Sequence, residues 1–425
     1  MSKTTVITRK IQIYVDQPNR EKKKEEMTQI LEWCKHSRDY ANKIMTFLHS
    51  VSFMNNVVKK VNPDIKSSFY DYIETSQQNT GYKVFTNEYK DLLPSFFRSS
   101  INNYVYRKFN SSYKDVLMGK SSLPTFKSGF PLFFIKRAIS GLTSDGFNFN
   151  KISIKFRYGR DRSNNRSIVD KVIGGEYSMS DSSMIYDYDS KKLFLMLVVK
   201  IPVITTKLDE TKVMGVDLGL SNPAYISISG DDKFRKSIGS KDSFLNGRLH
   251  IQKQLKDLYK SLTFSSGGKG RKHKLKKINS FRNKERNYVK NQNHIISKHV
   301  VQTAVSKGCY AINIEDLSKI GKDVKNSFIL RNWSYYELQE MIRNKSKQYG
   351  IKVNMVDAKY TSQRCSKCGH IHTDNRMTQS EFECVECGFK ENADYNASKN
   401  ISIAHTQKFK KEIKKHKEKI DSLKE

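Results

Sequence analysis

"CSKCGHIHTDNRMTQSEFECVECGFKENADYNASKNI" runs from Cys365 to Ile401. It holds two Cys-x-x-Cys pairs, Cys365 with Cys368 and Cys384 with Cys387, fifteen residues apart. That spacing fits a four-thiolate zinc ribbon. Each pair turns two sulfurs toward one ion. Gly369 and Gly388 follow the pairs, where a tight knuckle needs a residue without a side chain. Four sulfurs complete a tetrahedron, so His370 and His372 in the loop are not required as ligands. An Asp-bearing segment, "NADYNASKNI", follows at once and carries Asp394. Cys34 and Cys309 lie in apolar surroundings and read as small core residues.

The chain of 425 residues is long enough for two to four domains. Lysine and arginine total 77 against 43 acids, a formal net charge of +34. Such a surplus calls for a polyanionic partner, and nucleic acid fits better than a membrane. "MSKTTVITRKIQIYV" has no hydrophobic h-region, so no signal peptide is expected. The longest apolar run, "LFLMLVV" at Leu193–Val199, suits a buried strand and is too short to span a bilayer. Free thiols beside a zinc site fit a reducing, cytoplasmic compartment.

Periodicity organises the rest. "TVITRKIQIYV" alternates and predicts a strand. From about Arg20, Met27, Leu31, Cys34, Ala41, Met45 and Leu48 keep to one helical face, and helices continue to about Leu117. Within them "FFRSSINNYVYRKFNSSYK" interleaves Phe96, Phe97, Tyr104, Tyr106, Phe109 and Tyr113 with Arg98, Arg107 and Lys108. These serve either an aromatic core face or nucleic-acid stacking and phosphate contact. "ISIKFRYG" and "KKLFLMLVVKIPV" read as strands, and the first strand could complete their sheet, making the helices an insertion. "ITTKLDETK" reads as a linker, and "GGKGRKHKLKK" as a flexible basic loop between helices. "VMGVDLGLSNPAYISI", "YAINIEDL" and "IKVNMVD" read as strands, and "SYYELQEMIRNKSKQYG" as a helix capped by Gly350. The tail "QKFKKEIKKHKEKIDSLKE" is either a charged helix or disordered.

Three acids need an explanation. Asp217 sits inside an apolar strand, Glu315 at the end of another and Asp394 at a helix start. A carboxylate in such a strand costs several kcal/mol unless it is paired or metal-bound. Taken singly, Asp394 could be an N-cap and Glu315 a backbone-bonded strand end. Together on so basic a chain they point to convergence on divalent cations, for which hard oxygen ligands suit Mg2+.

The order "GVDLG", "IEDL", "TSQRCSKCG", "CVECG", "NADYNASKNI" resembles the split RuvC nuclease of compact type V CRISPR effectors and their TnpB-type transposon relatives, and among them the miniature type V-F effectors. The match is specific from Val213 to Ile403, about half the chain. It implies an α/β multidomain protein. An RNase H-like RuvC nuclease domain (213–359 and 391–425) would receive an inserted zinc ribbon (360–390). Before it would come a linker (205–212) and a β-barrel-like wedge domain (1–19 and 121–204) carrying a helical recognition insertion (20–120). It implies Asp217, Glu315 and Asp394 as magnesium-binding catalytic acids. Arg364 would be a catalytic arginine on the scissile phosphate, or else a knuckle arginine bonded to backbone. Cys365, Cys368, Cys384 and Cys387 would hold structural Zn2+. The implied partners are a guide RNA, target double-stranded DNA beside a T-rich 5′ flanking motif and, as an asymmetric homodimer, a second copy. The implied activity is DNA cleavage at a single two-metal site, with collateral single-strand cutting. The rivals are a transposon-encoded nuclease and, from other classes, a guide-directed DNA-binding regulator without cleavage or a plain zinc-ribbon nucleic-acid binder.

Overall fold

The computed structural model describes residues 4–65, 67–204, 207–219, 222–316, 335–357, 360–376, 378 and 380–421. The chain divides into two compact units, Met1–Pro202 and Val203–Glu425.

In the first unit, β1 (Thr4–Val15) is followed by helices at Arg20–Val61, Phe69–Tyr72, Gln77–Tyr89 and Ser95–Leu117. Then come β2 (Leu132–Phe134), β3 (Ile139–Ser140), β4 (Gly146–Phe149), β5 (Ile152–Arg157), a helix at Asn165–Ile173, β6 (Ser178–Met179), β7 (Ser182–Asp187) and β8 (Lys192–Pro202). The strands form one sheet in the order β2-β7-β8-β1-β5-β4-β3, with β6 also against β8. β1 lies mid-sheet, antiparallel to both β8 and β5, so the helices between Arg20 and Leu117 interrupt the sheet in chain order. Among the described residues no strand pair closes the sheet's ends, and β2 and β3 are only three and two residues long. The barrel expected from the resemblance is therefore an open sheet here.

The long helix starts at Asn19, whose side chain accepts from the amides of Glu21 and Lys22 at 2.9 and 3.0 Å. Its buried face presents Trp33, Cys34, Tyr40, Ala41, Ile44, Met45 and Leu48. Trp33 meets Phe97 edge-on at 5.3 Å and Phe149 of β4 at 6.2 Å, pinning helices to sheet. Phe97 and Phe109 are core, and Arg98 is buried, its Nε donating to the Leu93 carbonyl at 3.1 Å. Tyr104, Arg107 and Lys108 face outward.

The second unit opens with β9 (Asp209–Asp217), β10 (Ala224–Ile228) and β11 (Asp231–Ile238). After helices at Lys241–Thr263 and Gly268–Ser306 come β12 (Cys309–Glu315), a helix at Tyr335–Ser346 and β13 (Lys352–Val356). A small hairpin, β14 (Glu381–Glu383) with β15 (Lys390–Asn392), leads into helices at Ala393–Ile403 and Gln407–Asp421. The five larger strands order as β11-β10-β9-β12-β13. β10 is antiparallel to both neighbours, while β9, β12 and β13 run parallel. β12 is buried along nearly its whole length, as a strand covered on both faces must be.

Two expectations change, and the open reading of the tail closes on its helical alternative. The linker is shorter, because Asp209–Lys212 already belongs to β9, with the Asp209 amide donating to Gly308. The basic loop is helix from Gly268, with Arg271 and Lys274 bonded back to the Ser265 carbonyl and hydroxyl. The tail is helix from Gln407, seated by Phe409 and Ile413 against Val356, Ile401 and Ala404. Thr205, Thr206, Leu220, Ser221, Leu317, Ser334 and the last four residues of the tail lie outside the described residues.

Candidate active site and thiolate centre

Asp217 and Glu315 end β9 and β12, neighbouring parallel strands in which Val216 stands opposite Ile314. Both carboxylates therefore emerge at the same carboxyl edge of the sheet, where open α/β sheets bind ligands. Asp394 comes from the first turn of the helix Ala393–Ile403, whose cap is Asn392, accepting from the Tyr395 amide at 3.0 Å. Asp394 is thus not spent as an N-cap. All three acids are at most 8 % exposed. A Cβ at Gly219 would lie 3.7 Å from Asp394 Oδ1 and 3.9 Å from Asp217 Oδ2, so both carboxylates flank one point.

Partners among the described residues hold two of these acids. Asn222 Nδ2 donates to Asp394 Oδ2 at 3.1 Å, and the Thr361 hydroxyl donates to Glu315 Oε1. Arg376 Nη2 stands 3.9 Å from Asp394 Oδ1. Burial, then the charges of Glu315 and Asp394, push the Asp217 carboxyl well above its usual range. Burial also raises Glu315, opposed by the Thr361 hydroxyl and the Arg376 charge. Among the described residues, three buried acids facing one arginine form a hard, oxygen-only, over-negative cluster. That donor set fits divalent magnesium.

The strands are keyed to the helix by residues two positions before each acid, on the same face. A Cβ on Gly215 would stand 2.0 Å from the Ser398 carbonyl oxygen and 2.5 Å from the Ser402 nitrogen, so only glycine admits the helix. Asn313, fully buried, donates to the carbonyls of Ile401 and Ser402 at 2.9 and 3.1 Å, and Asn354 donates to Asn313 Oδ1 at 3.0 Å. From the other side, the helix Tyr335–Ser346 grips the backbone of Glu315 and of Gly219, two residues after Asp217. Tyr335 donates to the Gly219 carbonyl at 3.2 Å, and Gln339 Nε2 to the Glu315 carbonyl at 2.6 Å.

Arg364 is not placed against the carboxylates. Its Nε and Nη2 donate to Glu412 Oε2 at 2.9 and 2.6 Å, and its Nη1 to Asn400 Oδ1 at 2.7 Å and the Cys365 carbonyl at 3.2 Å. At 3 % exposure it serves as a buried tie between the knuckle and the last helix. Among the described residues the cation facing the acids is Arg376, in the loop between the cysteine pairs. Sequence reading passed over Arg376, Thr361, Asn313 and Gly215. Arg376 and Thr361 carry no spacing signal, whereas Gly215 and Asn313 stand two residues before acids on predicted strands.

The four cysteine sulfurs all lie within 4.8 Å of one another. Cys365 Sγ is 3.8 Å from Cys387 Sγ, and Cys368 Sγ 3.6 Å from Cys384 Sγ. A tetrahedron with metal–sulfur bonds of about 2.3 Å has edges of about 3.8 Å. The two knuckles repeat one pattern. Gly369 N donates to Cys365 O and Gly388 N to Cys384 O, both at 2.9 Å, with both glycines at positive φ. The His372 ring accepts from the Asp374 amide at 3.2 Å instead of joining the sulfurs. The donor set fits zinc.

Comparison with known proteins agrees with this arrangement. The family model for the Cas12f1-like TNB domain matches residues 335–401, from the Tyr335 helix to the Asp394 helix. The CRISPR-associated endodeoxyribonuclease Cas12f1 of Sulfoacidibacillus thermotolerans is 33 % identical over 311 residues, 69 % of this chain and 73 % of that protein. The putative RNA-guided DNA endonuclease InsQ of Escherichia coli is 28 % identical over half of this chain and 54 % of its own length. In fold, the chain resembles Cas12f1 as seen in a cryo-EM structure of a Cas12f1–sgRNA–target DNA complex. The TM-score is 0.69 at 20 % identity, covering 94 % of this chain and 99 % of the other. Fold and site together define a mixed α/β protein whose TNB match includes the Asp394 helix, beside the sheet edge that carries Asp217 and Glu315. The chain belongs to the Cas12f1 family. No helix among the described residues is long and apolar enough to cross a membrane.

Proposed function

We propose that this chain is a magnesium-dependent, RNA-guided endonuclease that cuts double-stranded DNA. The observation that carries the reading is the convergence of Asp217, Glu315 and Asp394, all buried, from two parallel strand ends and a helix start. The strand order, three antiparallel then two parallel, supports an RNase H-like RuvC assignment for this sheet. The three carboxylates would hold two magnesium ions, which when bound supply an activated water and stabilise the leaving oxygen of the phosphodiester. Arg376 would meet the scissile phosphate, since a guanidinium pairs with phosphate oxygens in a fixed fork. Gly215 and Asn313 keep the helix of Asp394 against the strands of the other two acids. The four cysteines would hold structural zinc beside this edge.

Guide pairing would read the target sequence, and the protein would read backbone shape and a T-rich 5′ flanking motif. Collateral single-strand cutting belongs to the same reading, as does a prokaryotic cytoplasmic setting. The net charge of +34 supports a nucleic-acid partner of this size. A second protein copy is part of the proposal. Phe53, Met54, Val57, Val58 and Val61 leave 40–82 % of their surface exposed along the far end of the long helix. Such a stripe supports an asymmetric pair on one guide.

The test is to purify the protein with its RNA, sequence that RNA, and offer DNA matching its spacer. Cutting of matched DNA in magnesium, and none of unmatched DNA, is expected. Cutting indifferent to the RNA sequence overturns the guided reading, and tight binding with no cutting favours a regulator.

A further inference from the structure

The short arm Thr361–Arg364, between β13 and the first cysteine pair, touches both the acid cluster and the thiolate centre. At its start, Thr361 is 1 % exposed and its hydroxyl donates to Glu315 Oε1. Its carbonyl accepts from Asn400 Nδ2 at 2.9 Å. At its end, the Arg364 carbonyl accepts from Asn396 Nδ2 at 2.9 Å and from Asn400 Nδ2 at 2.6 Å. Asn396 Oδ1 accepts in turn from the Ser366 amide, inside the Cys365–Cys368 knuckle, at 2.9 Å. Asn396 and Asn400 are both fully buried and lie one turn apart on the helix that begins with Asp394.

From this we infer that the arm is a positioning device. It sets Glu315 and Asp394 relative to one another, with the thiolate knuckle as its anchor and Thr361 as the residue that orients the glutamate. The inference rests on the three-acid reading above.

The chemistry favours hydroxyl control of Glu315. A carboxylate can offer either oxygen to a cation, and a donor fixed on one oxygen leaves the other free to ligate. Outer partners of metal-binding carboxylates act this way, and removing one typically lowers metal affinity about 10–100-fold. Asn396 and Asn400 fix the arm by backbone carbonyls, so the geometry is insensitive to the side chains at Ser362 and Gln363.

The test uses the full chain and Mn2+ as probe, with binding measured by electron paramagnetic resonance and Asp217→Ala as the blank. Thr361→Val keeps the shape and removes the hydroxyl, and Thr361→Ser returns it. The expected result is Mn2+ affinity at least about tenfold weaker in the valine variant and near normal in the serine variant. Zinc content should stay unchanged in both. Unaltered Mn2+ affinity in Thr361→Val overturns the proposal. So does equal weakening in the serine variant, which would assign the effect to packing. If Asp217→Ala binds Mn2+ as wild type does, the three-acid reading itself has failed, a separate outcome. Asn400→Ala supplies a second arm and should weaken Mn2+ binding while the four cysteines keep their zinc. Normal Mn2+ binding in that variant also counts against the device.

Discussion

Arg364 and Glu412 form a half-buried ion pair, with Nη2 2.6 Å from Oε2, across 48 residues of sequence. Arg364 side-chain exposure is 4 % and that of Glu412 28 %. Removing the arginine strands an acid and opens the bonds to Asn400 and Cys365. Arg364→Ala should therefore cost about 2–4 kcal/mol of stability, visible in denaturant unfolding, with Glu412→Ala losing a comparable share. Arg376→Ala should instead slow cleavage with little change in stability. An Arg364→Ala protein of normal stability that no longer cuts would return the catalytic role to Arg364.

Gly215 offers a steric test. An alanine there puts a methyl against the backbone of Ser398 and Ser402, atoms that cannot rotate away. Gly215→Ala should cost about 3 kcal/mol or more, at the upper end of overpacking. Gly267, with open space around its Cβ position, should accept alanine at almost no cost. Equal stabilities for the two variants would mean that the Asp394 helix is not seated on β9.

Much of this was legible in the sequence because it is written in local period and spacing. The alternation of Thr5–Val15, the apolar Leu193–Val199 run and the helical face from Met27 to Leu48 each correspond to an observed element. The cysteine spacing pointed to the thiolate cluster, and Asp217 and Glu315 at the ends of apolar runs pointed to the edge of the second sheet. What stayed hidden is long-range pairing. Nothing near Arg364 announces Glu412, since the tail reads as a charge run and only Phe409 and Ile413, spaced one turn apart, hint at a seated face. Polar residues inside strands, such as Asn313, look like interruptions until the helix carbonyls they serve are in place. The basic segment after Gly267 reads as a loop because of its early glycines, yet its long run of good helix formers makes it helix from Gly268.

The thiolate centre should hold one zinc per chain. Thiolate binding contributes folding free energy to so small a module, so chelation or Cys365→Ser should unfold residues around β14 and β15 first. Hydrogen exchange with and without chelator reads this directly. A metal-free protein with the same protection, or a disulfide between these cysteines, contradicts the assignment.

Assembly tests the apolar stripe on the long helix. Val58→Glu, at a position 41 % exposed, should leave the monomer folded and halve the protein mass of the guide-bound particle. Light scattering or mass photometry supplies the number. A wild-type particle holding a single chain per guide at working concentration removes the dimer.

The most direct measurement is cleavage of matched plasmid by the guide-bound protein in magnesium, with DNA binding followed in parallel, for wild type and Asp217→Ala, Glu315→Ala and Asp394→Ala. The account predicts that each variant loses cutting by at least about a thousandfold, more than 4 kcal/mol in the barrier, while guided binding stays within a few-fold of wild type. Cutting at a near-normal rate by any one of the three would contradict the proposal that Asp217, Glu315 and Asp394 form a single metal-binding site.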